Sequence, residues 1–128
     1  MNLEGRKIIV NKSSSELAEM LKKPEDYKDL MPDGLQKFEV KDNGFKFGLK
    51  GMPEIALKIE NVSDKEVVLK SASSSLDFAL TGTMNPVSEN QTEVQLLFDG
   101  KFNPFIKMMV EKPLQNFINS LTDKIEQL

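Results

Sequence analysis

Residues 103–128, NPFIKMMVEKPLQNFINSLTDKIEQL, form the stretch on which the fold turns. Asn103 suits a helix N-cap, because its side-chain oxygen can take a backbone N–H that the first turn leaves unpaired. Pro104 suits the first helical position. Ile106, Met109, Val110, Leu114, Phe117, Ile118, Leu121, Ile125 and Leu128 then recur at helical spacing, which predicts one long helix with a single apolar stripe. Pro113 lies inside that helix, and its ring should displace the Met109 carbonyl and kink the axis. So long a stripe must cover another apolar surface.

Upstream of the helix the pattern alternates in twos, as in half-buried strands. Phe38 and Val40 share one face, Phe45, Phe47 and Leu49 continue it, and Ile55, Leu57 and Ile59 form the next row. Val67 and Leu69 follow, then Leu76, Phe78, Leu80, Gly82 and Met84, and finally Val94, Leu96, Phe98, Gly100 and Phe102. Asp42-Asn43-Gly44 marks a hairpin, since Asn-Gly accepts positive φ. Gly51-Met52-Pro53 and Ser63-Asp64-Lys65 are further turns, the serine-rich segment 71–75 is a link, and Asn85 to Asn90 reads as a loop. The result is a six-strand antiparallel meander with one face covered and one solvated. Gly82 and Gly100 fall on the inner face of the longest strands, where glycine permits bending and close approach.

Before the meander, Glu4 to Val10 reads as a further strand, giving seven in all. Ser13-Ser14-Ser15-Glu16 is a capping-box pattern opening a short helix with Leu17, Met20 and Leu21 on one side. Pro24 starts a second short helix over Glu25 to Met31, which Pro32-Asp33-Gly34 ends.

Composition bounds the chemistry. The chain has 128 residues, enough for one domain with a real core over 1–128. Seventeen basic and 20 acidic residues leave a net charge of −3, and Arg6 is the single arginine, so no basic stripe for nucleic acid is present. Cysteine and histidine are absent, which excludes disulfides, thiolate metal sites and any nucleophile that depends on a histidine base. No acids have a defensible coordination spacing, and no metal or cofactor is implied. No run approaches the ~18 apolar residues of a membrane span, and Met1 to Gly5 has no apolar signal core, so a cytoplasmic setting is the expectation. The Asn11, Asn61 and Asn90 sequons are then chance matches.

The order of strand, two short helices, meander and long helix resembles the helix-grip fold. That is the START-like SRPBCC superfamily, which includes the birch-pollen-allergen type and polyketide cyclases. The most specific local likeness is Ile9-Val10-Asn11-Lys12-Ser13-Ser14-Ser15-Glu16-Leu17 followed by Lys23-Pro24-Glu25-Asp26-Tyr27-Lys28-Asp29-Leu30-Met31-Pro32-Asp33-Gly34. Lys23 stands where the family usually has an acid. These motifs are caps and turns, so they carry fold and not chemistry. The resemblance implies an α+β architecture: a seven-stranded curved antiparallel sheet whose concave face is packed by the C-terminal helix. A cavity between sheet and helix, often holding an apolar molecule, comes with it.

By that reading Phe47, Ile55, Leu57, Phe78, Leu80 and Phe98 face the cavity, and Met31, Met52, Phe105, Met108 and Met109 gather at its mouth, where methionine suits an adaptable rim. The same residues can equally cap a filled core. Asp77 and Asp99 fall on the outer face by parity, and Glu54 with Lys50 lies near the mouth as a surface pair. Three function classes remain. The first is binding of a small lipid-like or aromatic ligand without catalysis. The second is a protein-interaction module with a filled core, as in chaperone-regulating and ribosome-associated relatives. Last comes a cyclase- or hydrolase-type enzyme, disfavoured because no polar pair converges inside. Oligomeric state is open.

Overall fold

A computed structural model describes residues 1–51, 54–72 and 76–128 of the chain. Among these, eight strands form one antiparallel sheet, with two α-helices and a 3₁₀ helix on one side. The strands are β1 (Asn2–Glu4), β2 (Ile8–Val10), β3 (Leu35–Lys41), β4 (Gly44–Leu49), β5 (Ile55–Val62), β6 (Glu66–Ser71), β7 (Asp77–Ser88) and β8 (Gln91–Lys101). Helix α1 covers Ser14–Met20, the 3₁₀ helix Pro24–Leu30, and α2 Pro104–Glu126. The sheet order is β1-β8-β7-β6-β5-β4-β3, with β2 also on β8, so β3 to β8 are the expected meander.

The expected first strand is split. β1 pairs Leu3 with Phe98, and β2 pairs Ile8 with Val94, so both lie along β8. Between them the Gly5 N–H donates to the Leu96 carbonyl at 2.8 Å. A Cβ on Gly5 would stand 2.9 Å from Thr122 Oγ1 and 3.2 Å from Ile118 Cγ2, so only glycine lets α2 come this close. Arg6 swings outward onto the helix, pairing with Asp123 at 2.9 Å and Glu126 at 2.7 Å. The break is therefore the place where the helix crosses the first strand.

The N-terminal caps form as read. Ser13 Oγ accepts from the Glu16 N–H at 3.2 Å, and the Glu16 carboxylate accepts from the Ser13 N–H at 3.4 Å. Asn103 Oδ1 accepts from the Ile106 N–H at 2.9 Å. The second short helix is 3₁₀ and not α. The segment from Asn85 onward, expected as a loop, is strand up to Ser88, with an irregularity between Pro86 and Ser88. Pro86 is tolerated because β6 pairs β7 only as far as Thr83, leaving that edge without a partner for the missing N–H.

The core lies between the concave face and the helices. Leu114, Phe117, Ile118, Leu121, Thr122 and Ile125 of α2 are buried on it. Val40, expected inside, is 51% exposed, because β3 is the sheet edge and runs past the cover. At the β3–β4 hairpin Asn43 adopts φ 57°, and its side-chain amide donates to the Ile59 carbonyl at 2.9 Å. The adjoining Gly44 is indispensable for a different reason. A Cβ there would overlap the Leu57 carbonyl oxygen and sit 3.1 Å from Lys58 Cα. Backbone cannot yield as a side chain can, so Gly44→Ala is expected to destabilise the protein by about 1–3 kcal/mol. A lowered urea midpoint with an unchanged m-value checks this.

Candidate functional site

Curvature of the sheet around α2 leaves two enclosed voids and one open groove. The larger void, about 50 Å³, sits under the C-terminal half of α2. Its walls come from α1 (Leu17), the 3₁₀ helix (Tyr27, Leu30), the following Met31, the strands (Phe45, Leu57, Leu69, Leu80, Met84, Leu96) and α2 (Phe117, Leu121, Ile125). The smaller void, about 30 Å³, lies toward the N-terminal half of α2 between Ile55, Phe78, Phe102, Met109, Val110 and Leu114. Both are lined by carbon almost throughout, so water would find few partners in them.

A ring stack runs beside the larger void. Tyr27 lies on Phe45 at 4.8 Å between centroids, Phe45 on Phe47 at 5.9 Å, and Phe47 on Phe117 of α2 at 5.4 Å. A second aromatic group, Phe78, Phe98 and Phe102, packs at the other end, with Phe78 and Phe98 5.1 Å apart. Gly100 makes room for it, since a Cβ there would stand 2.9 Å from both Phe98 and Phe102.

The groove, about 320 Å³, opens to solvent between the loop after the 3₁₀ helix and the outer side of α2. Pro32, Asp33, Leu49, Lys50, Gly51, Pro113, Asn116, Phe117 and Ser120 line it. The Lys50 N–H donates to the Gly34 carbonyl at 3.3 Å, tying its two loops together.

The structure divides the residues expected at a pocket. Met31, Leu57 and Leu80 line the larger void, and Ile55, Phe78 and Met109 the smaller one. Phe47 and Phe98 are buried but line neither void. The expected mouth does not assemble. Met31 is buried, while Phe105, Met108 and Met109 are 71%, 83% and 62% exposed on the first turns of α2. Those turns extend beyond the concave face, so the helical stripe continues where the cover does not; Met52 lies outside the described residues. Alternation gave no hint of the α1 and 3₁₀ contributions, although Leu17, Tyr27 and Leu30 already stood on the apolar sides of their helices. Phe117 was read only as part of the burial stripe.

Polar groups are elsewhere. Asp77 and Asp99 are exposed on the outer face. Glu54 does not pair with Lys50; it binds Lys46 closely and Lys37 at 3.6 Å, because β3, β4 and the start of β5 present these side chains together. Among the described residues no group of three or more His, Cys, Asp or Glu could hold a metal ion, and no helix is long and apolar enough to cross a membrane.

A family model, that of the carbon monoxide dehydrogenase protein CoxG, matches residues 7–127. The chain belongs to the CoxG family. No curated protein sequence matches it. Among solved structures, this CoxG-family chain is similar to a START superfamily protein from Mycobacterium smegmatis, at 10% identity and TM-score 0.65, with 98% of this chain and 97% of that one covered. It is similar also to norcoclaurine synthase from Thalictrum flavum in complex with dopamine and hydroxybenzaldehyde, at 14% identity and TM-score 0.71, with 99% and 84% covered. A third is the KanY protein, at 8% identity and TM-score 0.75, with 99% and 95% covered. At these identities the likeness concerns fold, and the fold is START-like, of the SRPBCC type.

Tyr27 is the polar exception in the wall of the larger void. Its hydroxyl donates to the Leu21 carbonyl at 2.8 Å, and burial pushes its pKa well above the ordinary 10. A raised pKa means the folded state holds the proton more tightly than the unfolded state. The associated stability is fully present below pH 10 and is lost as the pH rises beyond it. Tyr27→Phe should therefore cost about 1 kcal/mol at pH 7 through the lost hydrogen bond. That deficit should shrink or reverse at pH 11, as denaturation midpoints of the two proteins at both pH values will reveal.

Proposed function

We propose that residues 1–128 act as one START-like domain that binds a small hydrophobic ligand, lipid-like or aromatic, between the sheet and α2, without catalysis. The observation that carries this is the larger void: enclosed, walled from every layer of the fold, and apolar but for Tyr27. Such a site gains affinity by removing apolar surface from water, at about 25 cal/mol per Å². A void of about 50 Å³ is smaller than a ligand, since even benzene needs about 150 Å³. Binding therefore requires α2 and its neighbours to give way, which flexible Met31 and Met84 permit. Norcoclaurine synthase, with the same fold, holds dopamine and hydroxybenzaldehyde, which supports a site for molecules of that size. An enzyme of cyclase or hydrolase type would need polar groups converging on the ligand, and the hydroxyl of Tyr27 is committed to Leu21. A cytoplasmic setting is part of the proposal and rests on the cysteine-free composition.

A second reading is a protein-interaction module, favoured by exposed Phe105, Met108 and Met109. The two separate experimentally. Native mass spectrometry of protein purified without denaturant should reveal a bound apolar species, and a hydrophobic dye should enter the apo protein. Val67→Phe, which fills the larger void, should abolish uptake, whereas Met108→Ser should leave it unchanged. Loss of uptake in Met108→Ser alone would move the weight to the surface patch.

A further inference from the structure

The groove and the enclosed voids share walls. Phe117 lines both the groove and the larger void, and Gly51 with Pro113 lines both the groove and the smaller one. Phe117 is 6% exposed, with its ring stacked on Phe47 at an interplanar angle of 18°. A single side chain thus separates the open groove from the larger apolar void. One turn earlier, Pro113 has no N–H to offer the Met109 carbonyl, so the helix is weakened where Phe117 would have to move.

The groove also differs from the voids in polarity. Asp33 is engaged by Lys124 at 3.4 Å. Lys50 makes no ion pair among the described residues, because Glu54 is taken by Lys46 and Lys37. Asn116 and Ser120 on α2 complete a polar rim, and neither side chain has a hydrogen-bond partner among the described residues. One cation and two hydrogen-bonding side chains therefore face solvent beside the entrance to a dry interior.

Resting on the ligand-binding reading above, we propose that the ligand is an amphiphile of the long-chain carboxylic acid class. Its chain enters past Phe117 into the larger void, and its carboxylate stays in the groove, held by Lys50, Asn116 and Ser120. The arrangement leaves the charge in water and removes only the chain from it, which avoids the cost of burying an anion.

Binding of cis-parinaric acid and of its methyl ester to the full chain, followed by fluorescence, tests this. The wild-type protein should bind the acid about fivefold more tightly than the ester, as for an exposed ion pair near 1 kcal/mol. Lys50→Met should abolish that preference without weakening the ester. In stopped-flow mixing, Phe117→Ala should speed association and release of both probes, and Phe117→Leu, which retains more of the packing, should do so to a smaller degree. Equal binding of acid and ester by the wild type, or a preference indifferent to Lys50→Met, overturns the head-group assignment. Rates unchanged in both Phe117 variants overturn the entry route. Binding of neither probe by the wild type overturns this proposal together with the ligand-binding reading, whereas the other failures leave that reading standing.

Discussion

Everything in this protein depends on the contact between the second half of α2 and the concave face of the sheet. An antiparallel meander buries one face only if another element covers it, and here the cover is Leu114, Phe117, Ile118, Leu121, Thr122 and Ile125. The approach is close enough that Gly5 must be glycine, and Thr122 turns its hydroxyl back to the Ile118 carbonyl at 2.8 Å to avoid an unpaired buried group. Arg6 then fastens the exposed side of the same crossing to Asp123 and Glu126. Exposed ion pairs add little stability, so the packing beneath them holds the helix in place.

The same contact organises the interior. A curved sheet and a rod-like helix cannot touch along their whole length, and the mismatch appears as two small apolar voids beside a line of stacked rings. Phe47 and Phe117 carry that line from strand to helix. At its first turns α2 leaves the sheet, so Phe105, Met108 and Met109 stay in solvent although their residue type suggests burial. Helix α2 therefore has two roles: cover over its second half, and surface over its first.

Much of this could be read from residue order. The capping box at Ser13, the N-cap at Asn103, the Asn43-Gly44 turn and the inward rows of β4 to β8 are local signals, set by backbone hydrogen bonding and side-chain period. They appear in the fold as read. The START-like family resemblance, resting on the same caps and turns, agrees with the CoxG family membership. Less was legible at the site. Met31 and Leu57 line one void while Ile55 and Phe78 line another. A two-residue period assigns a face but not a position along the helix that covers it. The split of the first strand was equally hidden, since it comes from the crossing of α2 and not from the strand itself.

The sequence by itself determined the elements, their order and the apolar character of the interior, because each follows from interactions within a turn or a strand. Only the tertiary structure decided where the helix stops covering the sheet, which side chains wall a void and which stand in water, and that Phe117 lies between the groove and the larger void. Those are properties of distance between segments far apart in the chain. They follow from how a twisted sheet meets a rigid helix, and no local pattern encodes that meeting.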